Sequence, residues 1–373
     1  METVNLLKHL SDNVGLSGYE QPVRGFIREQ LGQYADVVRT DRMGNLIALK
    51  RGTPGEDVAS RRSIMLAAHM DEIGLMVSGL EEGFLRIAPV GGIDERQLLA
   101  QPVIVHGSVG GEHALPGVVA SVPPHLVPKQ ERKKVVPFEK LFIDVGLPAE
   151  ELEKRVRVGD LVSFRQAALD LKGDLVTGKA MDNRASVAAV IQCMKLLSGI
   201  RHGWDVYAVA TVQEEVGLKG AITSAFGVRP DVAIAIDVTF GGQSGTSRED
   251  TFPLGKGPTV GIGPNFHPKL FQALVDVAKR EEIPYQVEPA PGASGTDAWA
   301  IQVSQEGIPT ALLSIPDRYM HSPVEVVAVK DVERTGRLMA YFIGGLAADF
   351  LETLTLHPQG REGSEAAPEE GEA

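Results

Sequence analysis

Residues 212–221 read VQEEVGLKGA and follow the apolar run Val206–Val212, so two adjacent carboxylates, Glu214 and Glu215, fall where a buried strand ends. Side chains alternate between the faces of a strand, so the pair shares a face only if the backbone has already turned. A charged pair past a strand is ordinarily solvated. Other polar positions shift that balance, because groups able to hold a cation recur at the ends of other apolar runs. His69 and Asp71 follow SIMLAA, Asp237 follows VAIAI, His321 comes shortly after TALLSI, and Asp182 opens a helix in GKAMDNRAS. In an open α/β sheet, ligands bind in the crevice outside the carboxyl ends of the strands, where these residues would converge. Each has an ordinary explanation of its own: a satisfied histidine for His69, a helix N-cap for Asp182, a turn cap for Asp237. A shared site explains all of them together.

The chemistry of such a site is constrained by the single cysteine, Cys193, which excludes an intrachain disulfide and leaves nitrogen and oxygen as ligands. Cys193 sits within a helical apolar pattern and reads as a small buried hydrophobe. Two histidines with several carboxylates suit divalent Zn, Co or Mn. A bridging carboxylate would hold two such ions about 3.5 Å apart. Asp71, two residues after His69, is placed to accept the other ring N–H of that histidine. Glu214 and Glu215 would then divide the work, one binding metal and the other taking a proton from the attacking water.

The elements that must position these groups follow from periodicity. VNLLKHLSDNV and EQPVRGFIREQL read as helices, ADVVRT and NLIALKR as strands around the turn DRMGN, and SIMLAAH as a buried strand. From 75 to 166 the texture changes to short β-like pieces with frequent Gly and Pro, which predicts a small inserted β-rich domain. Helix and strand then alternate. DNRASVAAVIQCMKLLSG, PKLFQALVDVAKREE and VERTGRLMAYFIGGLAADFLETL read as helices, and DVYAVATV, DVAIAIDV and PTALLSI as strands. The expectation is an α/β fold: a helix-covered mixed, largely parallel sheet in residues 1–74 and 167–356, interrupted by the β-rich insertion at 75–166. The tail at 357–373, with five Glu and no aromatic residue, is expected to be disordered.

Lesser signals sit elsewhere. PGASGTDAWA contributes Gly295, Thr296 and Asp297, which read as a glycine-rich turn before a helix; Arg318 in PDRYMHSP reads as an exposed arginine or as a group that orients the His321 loop. The basic run Lys129–Lys134 reads as a solvated loop, and His113 and His125 as loop residues. Among 373 residues the net charge is −12, which disfavours nucleic acids and anionic membranes as partners. No basic leader with an apolar core opens the chain and no run of about 18 apolar residues interrupts it, so a cytoplasmic protein is expected.

The segments AAHMDEIG, GKAMDNRAS, VQEEVGLKGA, AIDVTF, SGTDA and RYMHSPVE, in this order over residues 1 to about 350, resemble the M42 family of metallo-aminopeptidases, the tetrahedral aminopeptidase group that includes glutamyl aminopeptidases and proteins called cellulase M. The insertion falls where that family carries its apical domain, which is associated with dimer and oligomer contacts. The resemblance implies two divalent metal ions per subunit, with Asp182 bridging them and His69, Asp237, Glu215 and His321 completing the ligand set. It implies Glu214 as general base, Asp71 as the group that orients His69, a cis peptide between Asp182 and Asn183, and a homo-oligomer, often a dodecameric tetrahedral shell with inward-facing sites. It also implies that Gly295, Thr296 and Asp297 are part of the substrate pocket. The function so implied is removal of N-terminal residues from short peptides. Two rivals of other classes stand beside it. An endoglucanase-type glycoside hydrolase would need two carboxyls about 5–9.5 Å apart flanking a sugar, a poor match to adjacent glutamates in a chain with 5% aromatic residues. A non-catalytic peptide-binding scaffold would be expected to show a degenerate site, whereas every ligand position here is filled.

Overall fold

The computed structural model describes residues 1–53, 61–109 and 113–355. The acidic tail at 357–373 lies outside them. The central strands are built from unbroken apolar runs, and this is why they are buried on both faces: Ser63–His69, Asp205–Thr211, Val232–Phe240 and Thr310–Arg318 pair in parallel, with Ser63–His69 between the second and third and Val232–Phe240 against the fourth. Antiparallel strands extend both flanks. Leu46–Lys50 and Val37–Thr40 add to one side, and Glu325–Ala328, Leu175–Gly178 and Leu169–Leu171 to the other. Thr259–Ile262 pairs antiparallel with Thr310–Arg318 and carries Gln286–Pro289 in parallel as a side branch, so the mixed sheet has eleven strands among the described residues.

Alternation along these strands feeds two cores. Ile64, Leu66 and Ala68 pack on one face with the helices Thr3–Asp12, Gln21–Gly32, Met181–Leu197, Pro268–Arg280 and Val329–Gly344. Met65 and Ala67 pack on the other with the helices Lys219–Val228 and Asp297–Ile301. Met181–Leu197 is buried nearly all round because the helix Val329–Gly344 covers it from behind. Gly336 permits that close approach, since a Cβ there would stand 2.9 Å from the Ala189 carbonyl oxygen.

After Ser63–His69 the chain enters a closed antiparallel barrel of the strands Gly74–Glu81, Phe84–Val90, Leu141–Asp144, His113–Ser121, Pro102–Gly107 and Leu161–Phe164, in that order around the barrel. It has its own core, with Leu75, Val77, Leu85, Val105, Ile143 and Val162 pointing inward. His113 differs from expectation: it opens a barrel strand, its backbone in register with Gly107, so the ladder extends further than the glycine-rich sequence beside it suggests. The C-terminal helical pattern also differs. Instead of one helix to Leu354, Val329–Gly344 stops at the Gly344–Gly345 pair, and the short helix Phe350–Thr353 folds back. That return lays Phe350 edge-on against Trp204 and Phe342 and lets the Trp204 indole donate to the Ala347 carbonyl at 3.0 Å. No helix among the described residues is long and apolar enough to cross a membrane.

Candidate active site

His69 is the last residue of its strand and is in register with Thr211, the last residue of its parallel neighbour. Beyond Thr211 the chain turns through Gln213 at φ +54°, and the Gly220 N–H closes the turn on the Val212 carbonyl. That turn answers the question of the adjacent glutamates: both reach the same cavity because the strand has ended before they begin. Asp71 anchors them, its carboxylate accepting the backbone N–H of Glu214 at 3.0 Å and of Glu215 at 3.2 Å, together with the Ser17 hydroxyl at 2.7 Å. Asp71 also faces the ring of His69, with 3.5 Å between Oδ1 and Nδ1. This is an ion-pair separation rather than a hydrogen bond, and the buried Nδ1 has no hydrogen-bond partner.

Asp182 stands at the start of its helix behind Ala180 in the left-handed region, and the Asp182–Asn183 peptide is cis. Its carboxylate does not cap the helix. Oδ1 lies 3.0 Å from His69 Nε2 and Oδ2 lies 3.4 Å from His321 Nε2. Asp237, at the end of its strand, brings Oδ1 to 3.9 Å from His69 Nε2, and Glu215 brings Oε2 to 3.5 Å from His321 Nε2. Two clusters result, His69–Asp182–Asp237 and Asp182–Glu215–His321, each with ligand atoms close enough to hold one ion and both sharing Asp182. Glu214 lies beside them, 3.8 Å from His69 Nε2. One ligand atom of Glu214 also lies within 4.8 Å of one from His69 and one from Glu215.

The electrostatics fit a cationic guest. Burial, opposed by His69 but reinforced by Asp237, Asp297 and Glu215, pushes the Glu214 carboxyl up to about 10. Burial and the Asp182 charge push Glu215 up to about 7, and burial with Asp182 nearby raises Asp237 well above the carboxylate range. Burial works to raise Asp182 as well, but hydrogen bonds to His321 and His69 outweigh it and hold that carboxyl far below its ordinary value. A donor set of imidazoles and mutually repelling buried carboxylates, all nitrogen and oxygen, suits divalent Zn, Co or Mn.

Several positions carry this arrangement without having been singled out by sequence. Glu325 is buried and accepts the Asp182 N–H on Oε2 at 3.0 Å and the His321 N–H on Oε1 at 2.9 Å, so one side chain sets the backbones of both residues. Its place in RYMHSPVE, four residues after His321, was the available signal. Glu72 pins the Gly15 N–H at 2.8 Å and the buried Lys179 ammonium at 2.6 Å, tying the N-terminal segment behind the site. Of the pocket residues expected from sequence, Gly295 and Thr296 line the cavity, whose volume is about 720 Å³. Asp297 turns away and accepts the Thr211 hydroxyl at 2.5 Å. Arg318 donates through Nε to the Gly242 carbonyl at 2.7 Å, so it braces that turn and not the His321 loop. Cys193 is fully buried, and burial pushes its thiol up, away from reactivity.

Known proteins resemble this chain over most of its length. A lysyl aminopeptidase of Pyrococcus furiosus is 39% identical over 340 residues, covering 89% of this chain and 94% of that protein. The structure of aminopeptidase APDkam598 from the archaeon Desulfurococcus kamchatkensis superposes with a TM-score of 0.87 at 38% identity, covering 96% of this chain and 99% of that one. The Pyrococcus horikoshii TET1 peptidase, described as assembling into a tetrahedron or a large octahedral shell, gives 0.79 at 34% identity, covering 92% and 100%. The profile of the M42 glutamyl aminopeptidase family matches residues 44–338, and the chain belongs to that family of peptidases.

Proposed function

We propose that the chain is a dinuclear metallo-aminopeptidase that removes N-terminal residues from short peptides, with Asp182 bridging the two metal sites, His69 and Asp237 completing one, Glu215 and His321 completing the other, and Glu214 as general base. The observation that carries this reading is the division of the Asp182 carboxylate, one oxygen toward His69 and the other toward His321. When bound, the ions would polarise the scissile carbonyl and make the attacking water more acidic. Glu214 accepts the proton as the water oxygen bonds to the carbonyl carbon, then delivers it to the amine nitrogen as the C–N bond breaks. The products are a free amino acid and a peptide one residue shorter. Asp71 holds the Glu214 and Glu215 backbones and faces the His69 ring, so its role is positioning. Self-association is part of the proposal: a homo-oligomer, in the dodecameric form that the tetrahedral relatives suggest.

Hydrolysis of aminoacyl nitroanilides by chelator-stripped protein, before and after Zn²⁺, Co²⁺ or Mn²⁺, tests the reading. Metal-restored cleavage is expected. Glu214→Gln is expected to retain bound metal while lowering kcat by about 10² or more, the scale of general-base loss. Unchanged turnover in that variant would remove Glu214 from the mechanism, and hydrolysis of β-glucan insensitive to chelator would favour the glycosidase reading.

A further inference from the structure

The cavity that holds the two clusters also contains a carboxylate that the mechanism does not use. Glu288 lies on the side-branch strand Gln286–Pro289 and lines the same cavity. Its Oε1 accepts the hydroxyl of Thr239 at 2.7 Å and its Oε2 that of Thr259 at 2.5 Å, and both threonines are buried. Thr239 follows Asp237 by two residues on one strand, so the two side chains leave the same face. At the strand rise that offset is about 6.6 Å. Two hydroxyls occupy only part of the roughly four acceptor positions of a carboxylate and neutralise none of its charge. Among the described residues, no ion pair includes Glu288 and no Lys or Arg lines the cavity.

We propose that Glu288 determines specificity by selecting substrates whose N-terminal residue carries a long cationic side chain, lysine or arginine; this rests on the aminopeptidase reading above. In that reading Asp182, Asp237 and Glu215 are matched by metal ions and Glu214 handles protons. Glu288 then has no ion-pair partner among the described residues and is held by Thr239, two residues along the strand from the Asp237 ligand, a spacing that a flexible four-carbon stem can bridge. Pro289, Ala290 and the exposed ring of Phe240 line the same cavity and offer apolar surface for the stem. An acidic side chain would meet like charge with no cation to receive it. An apolar side chain would cover the Glu288 carboxylate without pairing it. The chain would therefore differ in preference from a glutamyl aminopeptidase despite belonging to the family described by that activity.

The test is kcat/KM of metal-loaded enzyme on Lys-, Arg-, Leu- and Glu-nitroanilides, for wild type and Glu288→Gln. Wild type is expected to favour Lys and Arg and to disfavour Glu. Glu288→Gln is expected to lower the Lys-to-Leu ratio by about 10-fold or more, the scale of one charge-assisted pair, chiefly through KM for the cationic substrate. Because the readout is a ratio, it does not depend on the fraction of active protein. Should the variant fail to fold, wild type alone decides: free L-lysine is expected to inhibit Leu-nitroanilide cleavage more strongly than L-norleucine, an advantage that shrinks with added salt. Preference for Leu or Glu, an unaltered ratio in Glu288→Gln, or equal inhibition by the two amino acids would overturn the assignment while leaving the aminopeptidase reading intact. Cleavage of none of the four substrates would overturn both.

Discussion

Protons and cations compete for the same atoms around Asp182. Its hydrogen bond to His321, opposed by burial and helped by the Glu215 charge, raises that imidazole to about 9. Burial works to lower His69, but the Glu214 charge and the Asp182 and Asp71 carboxylates outweigh it and raise that ring well above its ordinary value. Both shifts favour the protonated ring, so a metal that binds these nitrogens competes with a proton. As pH rises toward the His321 value the proton is lost more readily, so metal affinity is expected to increase between about pH 6 and pH 8 and to weaken as pH falls. Calorimetric titration in buffers of differing ionisation heat would register the released protons, and a pH-independent affinity would exclude the imidazoles as ligands. Glu325 acts on the same atoms from behind. Glu325→Ala is expected to lower metal affinity by about 10–100-fold, the usual cost of losing a group that orients ligands, with Glu325→Gln intermediate because its amide oxygen still accepts one N–H. Metal content after dialysis reads the difference; equal retention in all three proteins would make Glu325 structural only. The convergence of His69, Asp182, Glu214, Glu215, Asp237 and His321 was legible in the sequence because each follows or opens an apolar run. Glu325 and Glu288 were not singled out, because their meaning lies in partners far away in the chain: Glu325 reaches back 143 residues to Asp182, and Glu288 reaches 49 residues to Thr239.

At the scale of the element, legibility followed burial. The parallel strands announced themselves because strands covered on both faces need continuous apolar sequence, and their ends marked the crevice. The barrel was visible only as texture, since its strands are short and half their residues face outward, as in the alternating pattern of Phe84–Val90. The helix Lys219–Val228 escaped notice for a related reason: its Gly220, Gly227 and β-branched residues give little helical signal, and its buried face is made of Gly220, Ala221, Ser224 and Ala225. The break at Gly344 was hidden because the apolar periodicity continues past it, while Trp204, more than a hundred residues upstream, decides where Phe350 goes. Close packing behind the site makes a separate prediction. The Gly336 position leaves a Cβ 2.9 Å from both the Ala189 oxygen and the Gln192 Cβ, atoms of the helix Met181–Leu197 that carries Asp182. Gly336→Ala should destabilise the fold by about 1–3 kcal/mol, the cost of overpacking. Chemical denaturation would measure it, and a variant as stable as wild type would show that the two helices can separate freely.

For the molecule as a whole, the barrel is more than a passenger on the sheet. The segment that leaves its second strand returns to the site, where a Cβ on Gly92 would come within 2.8 Å of the His321 ring and one on Gly91 within 3.4 Å of Glu215. The barrel therefore supports one wall of the cavity while projecting the rest of its surface outward. That outer surface carries large apolar side chains that the monomer does not cover: Val118 at 49% exposure, Val122 at 49%, Val135 at 51% and Leu126 at 77%. Val122, Leu126 and Val135 all belong to the segment between the strands His113–Ser121 and Leu141–Asp144. In the proposed homo-oligomer these side chains are candidates for the contact with a second copy of the chain. The double variant Val122→Asp, Leu126→Asp places charge where two copies would exclude water, so light scattering should find it as a smaller species than wild type. Because the substitutions are exposed in the monomer, its unfolding transition should change little, which separates failed assembly from failed folding. A particle of undiminished mass would mean that assembly uses another face, leaving these side chains without a partner among copies of this chain.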